Sequence, residues 1–462
     1  MTQGRCLLPA DASGRILDRL AGLEQVIRPE AVRQALLATG RVNPRACRLT
    51  HEVMLWVVLS MGVLTHLPIR QVFKHARRLR YGEETPDRSS LCQARRRLGI
   101  APVQHLFEHT VHLLGRPEMP GAFYQGLRWM GIDGTVLNVP DTVANDIGFG
   151  RPTGGDRGPG AFPQVRKLSL VELGTHIEVA FVASSLVVGE QALVEFLIAS
   201  LPADALLLED RGFFSYPQWK TLDGRGVRLL VRVGKHLILE PFQRLSDGSY
   251  LAKIYPSSYD RDKDRHGIVV RVIRYTLDDP QRVGHQEDHT LMTNLLDEVQ
   301  YPAGELIPGY HERWEEELVY DEQKTHQDPP RPSKPVHLRS ETPAGVIQEL
   351  YALSLAHFVV RALMVAAAEQ VHLDPDRLSF TGCFQILQCR LPECDSATPA
   401  SFERWCQGLL WEMSRELTDP RRNRINPRVI KQKMSKWKKK RPEHRHLPPL
   451  KKTFIESVVM LI

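Results

Sequence analysis

Apolar residues recur at helical spacing through residues 10–115, where Ala, Leu and Arg are plentiful, so this stretch reads as all-helical. From about Gly126 the texture changes. Residues 127–132 form a short, mostly apolar run that leads into Asp133-Gly134-Thr135. Residues 168–173 and 177–185 are apolar and β-branched, separated by Gly174-Thr175-His176, which predicts a hairpin. Residues 192–201 read as a helix, 205–209 as a buried strand ending at Asp210-Arg211-Gly212, and 227–233 as one more strand. Strands alternating with helices predict a mixed α/β sheet with helices packed on it. Residues 235–300 are more polar, with strands expected at 268–275 and 289–294, and read as a β-rich insertion ahead of a strong helix over 309–325. A Pro-rich break at 327–335 precedes a long, mostly apolar helix over 343–370. The Gly/Pro-rich stretch 145–163 reads as a surface loop and lacks the spacing of a phosphate-cradling P-loop.

Composition narrows the class. The chain has 462 residues, 42% hydrophobic and 25% charged, values of an ordinary globular protein that exclude collagen-like, mucin-like and wholly disordered readings. Residues 55–64 are too few to span a bilayer, and the apolar stretch 350–368 is interrupted by His357 and Arg361, so no membrane span is expected. No basic segment followed by an apolar one opens the chain, and the expected location is the cytoplasm. Cys383, Cys389, Cys394 and Cys406 are separated by five, four and eleven residues, not the Cys-x2-Cys spacing of structural zinc, so reduced thiols are the expectation.

The charge is unevenly spread. The formal net charge is +7, yet residues 421–462 hold 14 Lys/Arg against two acids, about +12 on their own. Lys431, Lys433 and Lys436 stand at the centre of this segment beside Trp437, a mixture suited to a nucleic-acid backbone. A second basic cluster runs from Arg70 to Gly99. Arg70, Lys74, Arg77, Arg78 and Arg80 share one helical stretch, a turn follows at Thr85-Pro86-Asp87, and a second helix carries Arg95, Arg96 and Arg97. Two helices joined by a turn, the second basic, have the pattern of a DNA-binding helix-turn-helix.

Three carboxylates occupy informative places. Asp133 follows an apolar strand, Asp210 follows another, and Glu317 lies in the strong helix. Hard divalent ions want such oxygens, and two ions can activate a water and stabilise the leaving oxygen of a phosphodiester. On a continuous helix, at about 100° per residue, Tyr310, Arg313, Glu317 and Lys324 fall within an arc of roughly 60°, whereas Glu315 and Glu316 point elsewhere. That face combines an acid for metal with cations for phosphate.

Tyr-x2-Arg-x3-Glu-x6-Lys, intact as Tyr310, Arg313, Glu317 and Lys324, resembles the signature of the insertion-element-4 family of bacterial DDE transposases. Ile132-Asp133-Gly134-Thr135 resembles the family's first aspartate motif and Glu209-Asp210-Arg211-Gly212-Phe213 its second. Thr293-Asn294-Leu295-Leu296-Asp297, Arg339-Ser340-Glu341-Thr342-Pro343 and Pro427-Arg428-Val429-Ile430-Lys431 are also similar to it. The resemblance implies an α/β, RNase H-like mixed-sheet catalytic domain at 121–370, interrupted by the β-rich insertion at about 235–300. A helical DNA-binding domain would precede it at 1–120 and a helical, basic region would follow at 371–462. It implies cut-and-paste transposition: Mg²⁺-dependent cleavage at transposon ends and strand transfer into target DNA. Asp133, Asp210 and Glu317 would hold two metal ions, with Mn²⁺ as substitute. Arg313 and Lys324 would hold end phosphates, and Tyr310 would contact the DNA backbone. The implied partners are double-stranded DNA, as terminal inverted repeats and target, and a second copy of the chain; the place of action is the bacterial nucleoid. A metal-dependent nuclease or a domesticated, non-transposing DNA-binding relative is the alternative. The family stacks an insertion aromatic on a flipped base, but no Trp lies between Trp219 and Trp314 here, which leaves His289 and Tyr275 as substitutes.

Overall fold

The protein was analysed as a computed structural model that describes residues 18–42, 48–77, 84–153, 158–279, 285–329, 336, 338–419 and 452–461. A 3₁₀ helix (Asp18–Gln25) and five α-helices open the described chain: α1 (Pro29–Ala38), α2 (His51–Val63), α3 (Ile69–His75), α4 (Arg88–Leu98) and α5 (Ala101–Thr110). Then come β1 (Phe123–Tyr124), β2 (Leu127–Asn138), α6 (Val143–Phe149), β3 (Gln164–Glu172), β4 (Ile177–Ser185), α7 (Glu190–Ile198), β5 (Ala205–Glu209), α8 (Tyr216–Gly224) and β6 (Arg228–Arg232). The insertion supplies β7 (Gln243–Arg244), β8 (Tyr250–Ile254), α9 (Ser258–Asp262), β9 (Ile268–Leu277) and β10 (His289–Thr293). Helices α10 (Ala303–His311), α11 (Trp314–Asp321), a π-helical segment (Glu322–Gln327), α12 (Pro343–Gln370), α13 (Phe380–Arg390) and α14 (Pro399–Met413) follow, and α15 (Phe454–Ser457) with β11 (Val458–Met460) ends the chain.

The chain packs as two compact units, one of Met1–Phe123, Met130–Leu201 and Trp314–Thr418, the other of Tyr124–Trp129, Pro202–Arg313 and Asp419–Ile462. In the first unit β2, β3 and β4 form an antiparallel ladder in which Asp133 faces Ser169. Helix α12 is its spine. Thr342 caps it by accepting from Gly345 N at 3.3 Å, and Pro343 supplies the preset φ of a first helical residue. The helix is mostly apolar and enclosed, with 89% of its most apolar 18-residue window buried in the protein interior, and its buried polar residues Gln348, Glu349, His357 and Arg361 are paired there. Val57, Leu98 and Leu106 of the N-terminal helices share one core with Leu355 of α12 and Leu387 of α13.

In the second unit β5 and β6 are parallel and linked through α8. Antiparallel β10, β9, β8 and β7 continue outward from β6, so the sheet is mixed, as the strand pattern predicts. β11 returns the end of the chain to β9, with Val459 opposite Thr276.

The expected helix over 309–325 is not continuous. Pro308 lies inside α10, and the N–H groups of Glu312 and Arg313 bond three residues back, to Gly309 O at 3.0 Å and Tyr310 O at 3.2 Å. Such tightened bonds end an α-helix. Helix α11 then starts at Trp314, and the chain turns π-helical at Glu322. The arc drawn through Tyr310, Arg313, Glu317 and Lys324 on one straight helix is therefore not the geometry that relates them. Two smaller differences concern β2, which continues through Asp133 to Asn138, and the expected loop at 145–163, whose start is α6.

Candidate active site

Asp133, Glu317 and Lys324 lie in the first unit, where α11 runs along β2. A Cβ at Gly131 would stand 2.7 Å from Glu316 Oε2, so the glycine leaves room for that acid. One turn on, the Tyr320 hydroxyl donates to Asp133 O at 2.5 Å. One turn further, Lys324 Nζ donates to Thr135 Oγ1 at 2.9 Å and to Val136 O at 3.2 Å. On α11, residues four apart (Glu316, Tyr320) thus meet strand residues two apart (Gly131, Asp133), and Lys324 of the π-helical segment continues the row. The rises match, at about 1.5 Å per helical residue and about 3.3 Å per strand residue. The register holds the Asp133 strand against the helix bearing Glu317. Asp133 is half-buried, and its Oδ1 accepts from Gly134 N at 2.8 Å. Glu317 is exposed. Burial pushes the Lys324 amine below its ordinary pKa.

Asp210, Tyr310 and Arg313 lie in the second unit. Asp210 follows β5 directly, at the carboxyl end of a parallel strand, where α/β sheets receive ligands. The Tyr310 hydroxyl donates to Glu209 O, at 3.1 Å, next to Asp210. Tyr310 is buried, and that burial raises its pKa. Its bond braces the Asp210 turn. Arg313 is buried too. Glu209 has its carboxyl pushed up to about 8 by burial, against the lowering effect of Gln218, whose Nε2 donates to it at 2.7 Å.

A cluster that sequence reasoning missed lies behind α11. Glu322 Oε2 accepts from Arg361 Nε at 3.0 Å and from His357 Nε2 at 2.9 Å, and Arg361 Nη2 pairs with Glu322 Oε1. His176, at the β3–β4 turn, stands 3.3 Å from Glu322, 2.9 Å from Glu315 and 3.5 Å from Asp376. Ligand atoms of His176, Glu315 and Asp376 come within 4.8 Å of one another, close enough to hold a cation. Arg361 places a positive charge beside the same group, its Nη2 against His176 Nδ1. Burial and Arg361 oppose protonation of His176, but Asp376, Glu322 and Glu315 outweigh them and raise it to about 9. The available signal was His357 and Arg361, one turn apart in an apolar helix, which in sequence look only like interruptions.

The basic residues part company. Arg96 and Arg97 are exposed, and Arg97 lines an open cleft with Arg48 and Arg70. Arg95 is buried, donating to Gln348 Oε1 at 2.8 Å, Ser340 Oγ at 2.9 Å and Gly345 O at 2.6 Å. It ties α4 to the start of α12. Helix α3 ends at His75 and α4 starts at Arg88, and Arg78 and Arg80 of the expected basic helix lie outside the described residues. Lys431, Lys433 and Lys436 lie outside the described residues. In the insertion, the Tyr275 and His289 rings are buried and stack on each other, centroids 5.0 Å apart, so neither presents a free face to a base.

Residues 17–108 match the family described as insertion element 4 transposase N-terminal. The chain is 30% identical over 428 residues to the transposase InsG for insertion sequence element IS4 of Escherichia coli (strain K12), covering 90% of this chain and 93% of that protein. Among solved structures it is similar to a piggyBac transposase in a synaptic complex with hairpin DNA, with TM-score 0.46, 12% identity and coverage of 89% of this chain and 88% of that chain.

Proposed function

The chain belongs to the insertion element 4 family of transposases and is an insertion-sequence DNA transposase, and on that premise we propose that Asp133, Asp210 and Glu317 form its metal-dependent cleavage centre in an RNase H-like fold. What supports this reading is the register of α11 on β2, which joins the Glu317 helix to the Asp133 strand through Tyr320 and Lys324. The donor set is three carboxylates, half-buried at Asp133 and Asp210 and exposed at Glu317, and hard oxygen donors of this kind fit Mg²⁺ or Mn²⁺. Bound there, a pair of ions would activate the attacking water and stabilise the leaving oxygen at the transposon end. Lys324 offers a compact cation to a phosphate beside Asp133, and its partial desolvation strengthens that attraction. Tyr310 holds the Asp210 turn in place from α10.

Arg96 and Arg97 of the N-terminal helices, with Lys431, Lys433 and Lys436, supply backbone affinity for terminal repeats and target DNA. The protein acts as a homodimer in the synaptic complex and works at the cytoplasmic nucleoid.

The test is cleavage of a labelled duplex carrying the repeats that flank the gene, with wild type, Asp133→Asn, Asp210→Asn and Glu317→Gln, with and without Mg²⁺. Each variant should bind the ends as wild type does and lose metal-dependent cleavage. Cleavage surviving in any of the three removes that residue from the centre. Metal-dependent cleavage without regard to the repeat would favour the nuclease alternative.

A further inference from the structure

The π-helical segment is where the candidate site meets the protein interior. A π register is rare and clusters at functional sites. Here it is made by three polar side chains that the core accepts only because each is paired. Glu322 takes the bidentate guanidinium of Arg361 and the imidazole of His357. Gln323 accepts from Lys167 Nζ at 2.9 Å and donates to Glu178 Oε2 at 3.0 Å. Gln327 Nε2 donates to Gly62 O at 3.0 Å and Leu353 O at 2.9 Å. Lys324, between these anchors, reaches Thr135 and Val136 of β2.

We propose that Arg361 is a positioning residue for strand cleavage: through Glu322 it holds the π segment in the register that sets the Lys324 ammonium beside the Asp133 strand. A well-packed apolar core is commonly as stable as a buried ion pair or more so, so stability alone does not account for Arg361, which lies among apolar residues of α12 one turn after His357. The geometry does. The planar fork fixes both distance and orientation of Glu322, two residues before Lys324, whereas an apolar contact would let the segment relax into ordinary α register. His357, one turn before Arg361, and His176, from the β3–β4 turn, close the remaining sides of the same carboxylate. This inference rests on the reading of Lys324 as a phosphate-holding group.

The experiment is a double-mutant cycle on single-turnover cleavage of the end duplex in Mg²⁺. Its arms are wild type, Lys324→Met, the paired variant Glu322→Gln/Arg361→Met, and the combination. The paired variant removes both buried charges together, and its fold is followed by circular dichroism. Lys324→Met should slow wild-type cleavage by about 100-fold, the scale of losing one preorganised donor. The paired variant should bind the end duplex within about twofold of wild type and cleave roughly 10–100-fold more slowly, as loss of a supporting contact does. On that background Lys324→Met should add less than about threefold, because the ammonium is already misplaced. An undiminished effect of Lys324→Met on both backgrounds would overturn the proposal and leave Arg361 a structural residue. Should Lys324→Met leave wild-type cleavage intact, the reading of Lys324 fails instead. If the paired variant does not fold, Arg361→Lys carries the same comparison, since it keeps the charge and loses the fork.

Discussion

Gly62 of α2 packs directly on the backbone of α12, and replacing it by alanine isolates what that approach is worth. The new Cβ would lie 2.1 Å from Ala352 O, 2.6 Å from Ala352 C and 3.0 Å from Ala356 Cβ. Two of these atoms are α12 backbone, so no rotamer change relieves the contact, and the helices must part by about 1 Å to restore ordinary separations. Overpacking of this kind costs about 1–3 kcal/mol, and a gap of that size forfeits a sizeable part of the dispersion contacts along the crossing. Gly62 O also accepts from Gln327 Nε2 at 3.0 Å, a bond worth about 0.5–1.5 kcal/mol net. Against these stands the better helix propensity of alanine, about 1 kcal/mol. The net expectation is a loss of about 0.5–3.5 kcal/mol. Gly408 in α14 is the matched control: it has nothing within 4 Å, so Gly408→Ala should stabilise by about 0.5–1 kcal/mol. Urea unfolding followed by circular dichroism and tryptophan fluorescence measures both. A Gly62→Ala midpoint at or above that of wild type would refute the close-packing argument, because the same chemical change would then act alike at both sites.

Other expectations follow from single groups. Arg95→Ala should cost about 3 kcal/mol of stability, since it strips partners from Gln348 and Ser340 in the interior. Arg97→Ala should stay within about 0.5 kcal/mol of wild type and instead lower the salt slope of end binding by about one; equal unfolding midpoints for the two variants would contradict the distinction. Glu209 has a folded pKa of about 8 against an ordinary 4.5, so its contribution is complete below the lower value and is lost as pH rises through the higher one. Glu209→Gln should therefore match wild type near pH 5 and exceed it near pH 9, by at most about 5 kcal/mol, and parallel pH profiles would show that the carboxyl is not buried as described. Replacing Lys431, Lys433 and Lys436 by Gln should flatten the salt dependence of DNA binding without moving the unfolding midpoint, whereas deleting residues 452–462 should lower that midpoint, because β11 and its pairing with β9 go with them. An unchanged salt slope would make those lysines bystanders.

Much of the fold was legible because its signals are local. The strand 205–209 and the helix 343–370 were read to the residue, since a short β-branched or apolar run between breakers, and a capped apolar stretch starting Thr-Pro, carry their own boundaries. The hairpin around Gly174 and the insertion strands came from the same kind of pattern. The chemistry-bearing positions were legible as residue types at motif spacing, which is how Asp133, Asp210 and Glu317 stood out.

Sequence by itself thus determined most of the strands and the long core helix, the candidate acids and the family. Tertiary structure alone decided what the polar residues do. Arg95 and Arg97 share a helix and a charge, yet Arg95 meets Gln348, 253 positions away, and becomes a strut, whereas Arg97 faces an open cleft. The helix expected over 309–325 breaks because Glu312 and Arg313 bond three residues back, and it turns π-helical where Glu322, Gln323 and Gln327 find partners on α12, β3, β4 and α2. The reason is desolvation: a charge or amide withdrawn from water is tolerable only where distant parts of the chain supply its partner, and no local pattern records where those parts will lie.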